Sequence, residues 1–393
     1  MKPQAALKSS ADPMTNGSPT KIAMADLKAQ YAHLKASIDA NIARVLEHGQ
    51  FILGPEVTEL ETALAARAGV RHCVTVSSGT DALLAALMAE GVGPGDAVFV
   101  PAFTFPATAE VVCLLGASPV FVDVDRRSFN IDPVDFDRRI AETEKDGDLR
   151  ARAVIAVDLY GLPADYPRLR EICEAHDMFM LADAAQSFGA TLDNRPVGSL
   201  APATAISFFP AKPLGAYGDG GAILTDDDDR AELYRSIRAH GKGSMKYEIQ
   251  RVGLNARLDT IQAAILLAKL EVFDEELAAR EAVARSYDRL LSNSSAVLPP
   301  QPRGVRCAWA QYTIQVENRD GLANTLRADG IPTAIYYPEP LSRQAAYRRF
   351  ADGPDGFPVS ERLSGQVLSL PMHPYLSDDV IARIGTATAA ALG

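Results

Sequence analysis

The chain has 393 residues, which is long enough for two domains or for one large α/β domain with an appendage. Hydrophobic residues make up 47% and charged residues 23%, as in globular proteins that form a buried core. The formal net charge of −11 argues against nonspecific binding to nucleic acid or to an anionic membrane surface.

The first residues and the cysteines indicate the kind of protein to expect. Residues 1–20 are polar and rich in Ser, Pro and Ala, so we predict a flexible tail. No run of about 18 apolar residues is present, and we expect no membrane partner. The four cysteines lie far apart and the six histidines show no metal-ligand spacing. These features predict a reduced, cytoplasmic protein without a metal site.

The following elements alternate between helix and strand. Apolar residues recur at helical spacing from Leu27 to Val45, and His48-Gly49 ends this helix. Seven β-rich runs separated by helical segments follow, at 72–78, 96–102, 118–125, 152–161, 178–187, 203–212 and 221–225. This alternation predicts a mostly parallel sheet covered on both faces. The turn between the last two runs is too short for a crossover helix, so one antiparallel strand is expected.

The alternation of strands and helices ends after residue 226. A long helical stretch is predicted from Ala256 to Leu291, followed by a mixed region with Pro-rich loops. We therefore place a domain boundary near residue 250. Residues 21–250 would form a large α/β domain, and residues 251–393 a smaller α+β domain.

Two strand ends carry polar residues that could bind a ligand, because ligands of open α/β sheets bind at the carboxyl ends of the strands. Ser77-Ser78-Gly79-Thr80 joins a strand to a helix, which makes it either a phosphate site or an ordinary helix cap. Asp183 ends an apolar strand. It needs a cation, a metal or several donors, unless it caps the next helix.

A lysine and an aromatic residue complete the set. Lys212, in the block that begins at Ser207, is either a solvent-facing side chain or a nucleophile desolvated by the apolar run before it. Phe105 either stacks on a planar ligand or packs in the core. Together with the phosphate site and Asp183, these residues describe a pocket for pyridoxal phosphate. Lys212 would hold the cofactor as a Schiff base, and Asp183 would keep its ring nitrogen protonated.

Ordered blocks spread over residues 24–393 carry a family resemblance. They include SSGTDAL (77–83), PAFTFPAT (101–108), DLYG (158–161), ADAAQS (182–187), SFFPAKPLGAYGDGGA (207–222) and GLNARLDTIQAA (253–264). With these blocks the chain resembles the nucleotide-sugar aminotransferases of the DegT/DnrJ/EryC1/StrS family. The resemblance implies a fold-type I pyridoxal phosphate aminotransferase, with a seven-stranded, mostly parallel sheet between helices.

The resemblance also implies a role for each matching residue. Lys212 would carry the cofactor and then move a proton between the substrate carbon and the cofactor, while Asp183 would pair with the ring nitrogen. The other cofactor contacts would be Gln186 at the ring oxygen, Phe105 on the ring face, and Gly79, Thr80 and Ser207 at the phosphate. Asn255 would reach the phosphate of the neighbouring subunit, which implies a homodimer with shared active sites.

The implied reaction moves the amino group of L-glutamate to a keto sugar linked to a nucleoside diphosphate. The block SFFPAK (207–212) resembles that of C3-type enzymes, and the overall sequence is most similar to enzymes for UDP-2-acetamido-2-deoxy-3-oxo-glucuronate in surface-polysaccharide pathways. Arg257 is then a candidate for the uronate carboxylate, the alternative being an ion pair with Asp259 or another acid. Tyr336 and Tyr337, further substrate-binding candidates, stand where some uronate enzymes have His-Tyr.

Two other interpretations stay open. The first is a dTDP-3-keto-6-deoxyhexose or 4-keto-sugar aminotransferase, which a panel of substrates would distinguish. The second is a non-catalytic regulator on the same fold. Against the regulator, every implied catalytic position holds a competent residue, and no basic DNA-binding segment is appended.

Overall fold

The structure, a computed structural model, describes residues 22–245, 247–351 and 356–393. The predicted tail at residues 1–20 lies outside the described residues. The described α-helices are α1 Leu27–His48, α2 Pro55–Ala68, α3 Gly79–Ala89, α4 Ala107–Leu114, α5 Pro133–Asp146, α6 Tyr166–Ala175, α7 Asp228–Ile237, α8 Thr260–Leu270, α9 Phe273–Leu291, α10 Arg319–Ala328, α11 Pro358–Gln366 and α12 Asp378–Leu392. The described strands are β1 His72–Val76, β2 Asp96–Pro101, β3 Ser118–Val122, β4 Arg150–Val157, β5 Phe179–Asp183, β6 Thr191–Leu192, β7 Arg195–Pro196, β8 Ala203–Ser207, β9 Gly221–Thr225, β10 Val305–Arg306, β11 Tyr312–Gln315 and β12 Val367–Leu370.

The seven predicted strands form one sheet, in the order β1-β9-β8-β5-β4-β2-β3. Strands β3, β2, β4, β5 and β8 run parallel to one another, whereas β9 is antiparallel to both of its neighbours, β1 and β8. The predicted α/β class, the mostly parallel sheet and the single antiparallel strand are therefore confirmed. Because β1 and β8 are both antiparallel to β9, they point in the same direction. The carboxyl ends of β1, β4, β5 and β8 therefore share one edge of the sheet.

Both faces of the sheet are covered by helices. Successive residues of β2 alternate between faces, so Phe99 joins one core cluster while Val98 and Val100 join the other. The first cluster includes apolar residues of α2, α5, α6 and α8, and the second includes those of α3, α4 and α7. This arrangement explains the near-continuous apolar character of the strands.

The predicted helical stretch from Ala256 to Leu291 is helical from Thr260 onwards, but it is divided into two helices. The chain forms α8 and α9, interrupted at Glu271 and Val272. Helix α8 packs against α1 and α2, whereas α9 packs against α12. The apolar pattern continues through the break because both helices are buried on one side. A sequence pattern of this kind does not show that the buried sides face different neighbours.

The C-terminal part has its own small core. Strands β11 and β12 pair antiparallel, and α9, α10 and α12 add apolar side chains to the cluster around Tyr312 and Leu368. The domain boundary near residue 250 stays a prediction. Within the described ranges, no helix combines the length and apolar character needed to cross a membrane.

Candidate active site

The carboxyl ends of β5 and β8 bring two predicted site residues to the same sheet edge. Asp183 is the last residue of β5 and pairs in register with Val157 of β4 and Ala205 of β8. Ser207 is the last residue of β8. The lysine turn, which we define as residues 208–217, leaves β8 directly after Ser207. The sheet thus places the aspartate and the start of the lysine turn side by side.

The loop before α3 approaches the end of β8 closely. A Cβ atom added to Gly79 would lie 2.7 Å from the Cβ of Ser207 and 3.1 Å from its Oγ. A Cβ added to Gly221 would meet the carbonyl oxygen of Ser78. Only residues without a side chain fit at this contact. The first N–H groups of α3, including that of half-buried Thr80, therefore lie next to the Ser207 hydroxyl.

This junction has the properties of an anion site. Ser78 caps α3, its hydroxyl accepting a hydrogen bond of 3.0 Å from the Asp81 N–H, so the predicted cap is present. The cap leaves the N–H groups of Gly79 and Thr80 for another acceptor. The helix dipole adds a partial positive charge at the same place. A phosphate group fits both features.

Asp183 is a buried carboxylate with few partners. Its side chain is 6% exposed; Oδ2 accepts a hydrogen bond of 3.1 Å from the Thr108 hydroxyl, and Oδ1 one of 3.2 Å from the Ala185 N–H. Burial raises the pKa of Asp183, while the Ala185 N–H and the charge of Lys212 act in the opposite direction. Among the described residues Asp183 makes no ion pair within 4.0 Å. It therefore presents a carboxylate that a cationic ligand group would stabilise.

Lys212 sits in a tight turn beside this carboxylate. Its N–H donates to the Phe209 carbonyl at 2.9 Å, and the Ala216 N–H donates to the Phe208 carbonyl at 2.7 Å. Burial lowers the pKa of Lys212, and the charge of Asp183 opposes this effect. A lysine with a lowered pKa has a larger fraction of neutral, nucleophilic amine at neutral pH. Lys212 is thus a half-buried lysine beside a carboxylate, and its role as a nucleophile stays a prediction.

An aromatic group borders the same region. Phe105 is 54% exposed, and its ring centroid lies 6.3 Å from that of Tyr337. Phe105 is therefore not a core aromatic. Gln186 is buried, and its Oε1 accepts a hydrogen bond of 2.7 Å from the Tyr160 N–H. The Tyr160 hydroxyl in turn donates to the Tyr336 carbonyl.

The structure thus gathers most of the predicted residues at one place, namely Gly79, Thr80, Phe105, Asp183, Gln186, Ser207, Lys212, Tyr336 and Tyr337. Asn255 and Arg257 differ from this group. Asn255 is exposed, and in the described residues no hydrogen bond or ion pair joins either of them to Lys212, Asp183 or Ser207. Within one chain these two residues are not shown to be part of the site.

Arg257 has an unusual environment. Its Nε is buried without a hydrogen-bond partner, and in the described part of the chain no carboxylate lies within 4.0 Å of its guanidinium. The alternative of an ion pair with Asp259 is therefore wrong. A buried guanidinium nitrogen without an acceptor can bind an anionic group from outside the chain.

Two contacts of the site are not predictable from the sequence motifs. Thr108 holds Asp183, and Tyr160 connects Gln186 to the segment of Tyr336. Both residues lie inside the family-like blocks PAFTFPAT and DLYG, so the sequence contains a signal for them. Spacing alone does not show which atoms those residues reach.

Comparison with known proteins identifies the family. The model of the DegT/DnrJ/EryC1/StrS aminotransferase family matches residues 32–388. The chain is 48% identical over 351 residues to a UDP-2-acetamido-2-deoxy-3-oxo-D-glucuronate aminotransferase of Pseudomonas aeruginosa, covering 89% of this chain and 95% of the relative. It is 41% identical to a UDP-N-acetyl-3-dehydro-α-D-glucosamine 3-aminotransferase of Acidithiobacillus ferrooxidans, covering 93% and 97% respectively.

A solved structure agrees with these sequence matches. A DegT DnrJ EryC1 StrS aminotransferase from Brucella abortus has 49% sequence identity and a TM-score of 0.93, and the match covers 95% of this chain and all of that one. The family predicted from the sequence blocks is confirmed, together with its fold. The chain belongs to the DegT/DnrJ/EryC1/StrS aminotransferase family.

Proposed function

We propose that this aminotransferase uses pyridoxal phosphate to move the amino group of L-glutamate onto C3 of UDP-2-acetamido-2-deoxy-3-oxo-glucuronate, for surface-polysaccharide synthesis. The observation that carries the proposal is the pair of Asp183 and Lys212. Burial raises the pKa of the carboxyl and lowers that of the amine at one sheet edge. The name of the Pseudomonas aeruginosa relative, which is 48% identical, supports the choice of sugar.

The residues present fit the proposed cofactor. A phosphate fits the N–H groups before α3 and the Ser207 hydroxyl, where glycine alone is tolerated. A protonated ring nitrogen would give Asp183 the cation that it lacks. Phe105 is exposed and would stack on the ring, and Gln186 would contact the ring oxygen. Bound pyridoxal phosphate would supply an aldehyde that accepts the amine of Lys212 or of the substrate, and a ring that withdraws electrons from the reacting carbon.

Lys212 would perform the proton transfer. Its Nζ is on a turn fixed by backbone hydrogen bonds at both ends, so the amine has a restricted range of positions. With the substrate bound, the neutral Nζ would take the proton from the substrate carbon and deliver it to the cofactor. A base held in place makes this step effectively intramolecular, which can lower the barrier by about 7–11 kcal/mol.

The substrate carboxylate would bind Arg257 in a homodimer with shared active sites. The unpartnered Nε of Arg257 supports an external anion. The surface around this segment supports a second subunit, since Phe51, Ile52 and Val252 are between 46% and 84% exposed. An isolated bridge between Ile52 and Asp259 places this apolar surface beside Arg257. The four unpaired cysteines fit a cytoplasmic enzyme.

An absorption spectrum of the purified protein, before and after addition of L-glutamate, tests the first half of this proposal. We expect a yellow band that requires Lys212 and bleaches when glutamate is added. The Lys212→Ala variant should lack the band, and Lys145→Ala, at an exposed lysine of α5, should keep it. A wild-type protein that stays colourless with pyridoxal phosphate would contradict the proposed cofactor.

A panel of keto sugars tests the second half. We expect the bleached enzyme to regain its colour fastest with the UDP-linked 3-keto uronate. A faster return with a dTDP-3-keto-6-deoxyhexose or a 4-keto sugar would assign the enzyme to that alternative substrate class.

A further inference from the structure

Lys269 of α8 is a buried lysine whose direct partners are a backbone carbonyl and an aromatic ring. Its side chain is 1% exposed, its Nζ donates to the Gly215 carbonyl at 2.5 Å, and it lies 3.8 Å from the centroid of the Tyr217 ring. In the described residues no carboxylate lies within 4.0 Å of Nζ. Fully buried lysines are rare unless they are paired with an acid. Here the partners are instead a carbonyl and a ring of the lysine turn.

The carbonyl that Lys269 holds is closely coupled to Lys212. A Cβ added to Gly215 would meet the Pro210 carbonyl oxygen and would lie 2.7 Å from that of Phe209. The Phe209 carbonyl also accepts the hydrogen bond of the Lys212 N–H. A shift of Gly215 would therefore displace the carbonyls of Phe209 and Pro210, and the first of these holds the Lys212 N–H.

A second side chain of α8 holds the same turn. Gln262 Oε1 accepts a hydrogen bond of 2.9 Å from the Tyr217 N–H. Gln262 and Lys269 are seven residues apart, two helical turns, so they lie on the same face of α8. Helix α8 is itself held by its packing against α1 and α2, so it provides a stable support for the lysine turn.

The hydrogen bond from Lys269 to the Gly215 carbonyl does not require a charged amine. Burial lowers the pKa of Lys269 to about 7, and the charge of Glu276 acts in the opposite direction. The amine keeps an N–H donor in either protonation state, so it can hold the Gly215 carbonyl on both sides of neutrality. The ring of Tyr217 gains additional attraction when the amine is protonated.

We infer that Lys269 is a positioning residue, which fixes the lysine turn through the Gly215 carbonyl and so sets the reach of Lys212 Nζ. This inference rests on the proposed role of Lys212. Lys269 itself touches neither substrate nor reacting atoms. Its expected effect is on proton transfer by Lys212, not on binding of the amino donor.

The test compares Lys269→Met, Lys269→Arg and the control Tyr287→Phe. Tyr287→Phe removes a hydrogen bond of 2.9 Å to the Pro371 carbonyl in the C-terminal core, far from the lysine turn in the chain. We expect Lys269→Met to slow the glutamate half-reaction about tenfold at saturation, with KM for glutamate within about twofold of wild type. The pH titration of the yellow band should also shift. Lys269→Arg, which keeps a donor, should recover part of the rate, and Tyr287→Phe should change only Tm.

The results distinguish a failure of the proposed function from a failure of this inference alone. A colourless wild-type protein would overturn both. A yellow wild type whose Lys269→Met variant keeps the rate and the pH titration, or loses only Tm as Tyr287→Phe does, would overturn the inference alone. If Lys269→Met does not fold, Gln262→Leu should give the same loss of rate, since it removes the other anchor of the turn. Wild-type kinetics for a folded Gln262→Leu would then refute the inference.

Discussion

Gly79→Ala tests whether the contact between α3 and β8 forms the phosphate site. The new methyl group would lie 2.7 Å from the Ser207 Cβ, about 0.7 Å inside the 3.4 Å at which ordinary contacts begin. Neither side can yield easily, because Gly79 begins a capped helix and Ser207 ends a strand in the middle of the sheet. We expect α3 and β8 to move apart, so that the N–H groups and the hydroxyl no longer meet one phosphate.

The size of the effect follows from the cost of overpacking. Inserting a methyl group into a packed site typically costs about 1–3 kcal/mol. Binding of the phosphate would require α3 and β8 to close again onto the methyl group, so this cost opposes binding. Since 1.4 kcal/mol is a factor of ten in affinity, pyridoxal phosphate should bind roughly 5- to 150-fold more weakly. Helix propensity acts in the opposite direction, because alanine is better than glycine within a helix by about 1 kcal/mol. A loss of affinity therefore identifies the contact as its cause.

The assay is a titration of the apoprotein with pyridoxal phosphate, followed by the yellow absorbance, with Tm as a check of folding. Gly93→Ala is the matched control, because a Cβ at Gly93 would meet nothing within 4 Å. The reasoning is refuted if Gly79→Ala binds the cofactor within twofold of both wild type and the control.

Three further predictions concern Asp183, Thr108 and Arg257. Burial raises the pKa of Asp183, so the folded apoprotein holds this proton more tightly than the unfolded chain and loses stability as pH rises through that range. Asp183→Asn should therefore raise the Tm of the apoprotein at neutral pH more than at about pH 4, and abolish transamination; an equal change in Tm at both pH values contradicts this. Thr108→Val removes the hydroxyl that donates to Asp183, a bond to a charged group worth about 1.5–3 kcal/mol, so kcat/KM should fall about tenfold or more. The control Thr104→Val, at a hydroxyl 3.4 Å from that of Thr108, should lose less, and equal losses would argue against the contact. Arg257→Ala should lower kcat/KM for a uronate substrate about tenfold or more, and less for a neutral keto sugar; equal losses on the two sugars would remove the carboxylate role.

The apolar strand pattern made the sheet predictable, and one short turn made its single antiparallel strand predictable. Parallel strands buried on both faces give apolar runs that stand out from their surroundings. The segment between Ser207 and Gly221 is too short to cross over the sheet, so β9 had to run antiparallel, as observed. The break between α8 and α9 was missed because the apolar pattern shows that a helix is buried, but not against which neighbour.

The strand-end positions of the site were predictable for the same reason, whereas its supporting contacts were not. Asp183 and Ser207 end strands that are recognisable in the sequence, and the topology places such ends together. Thr108, Tyr160 and Lys269 act through single hydrogen bonds to atoms between 26 and 176 residues away. A single sequence does not contain the distances that would show such pairs.

The position of β1 in the sheet has a consequence for synthesis of the chain on the ribosome. Among the described residues, β1 pairs with β9 alone, and β9 begins far along the chain, at Gly221. Until that residue has been made, β1 has no partner strand, and its N–H and C=O groups stay available to other chains. The α3 junction is also incomplete until then, because Gly221 packs against Ser78. A nascent chain that stops before Gly221 therefore exposes the unpaired edges of β1 and lacks the completed junction between α3 and the sheet.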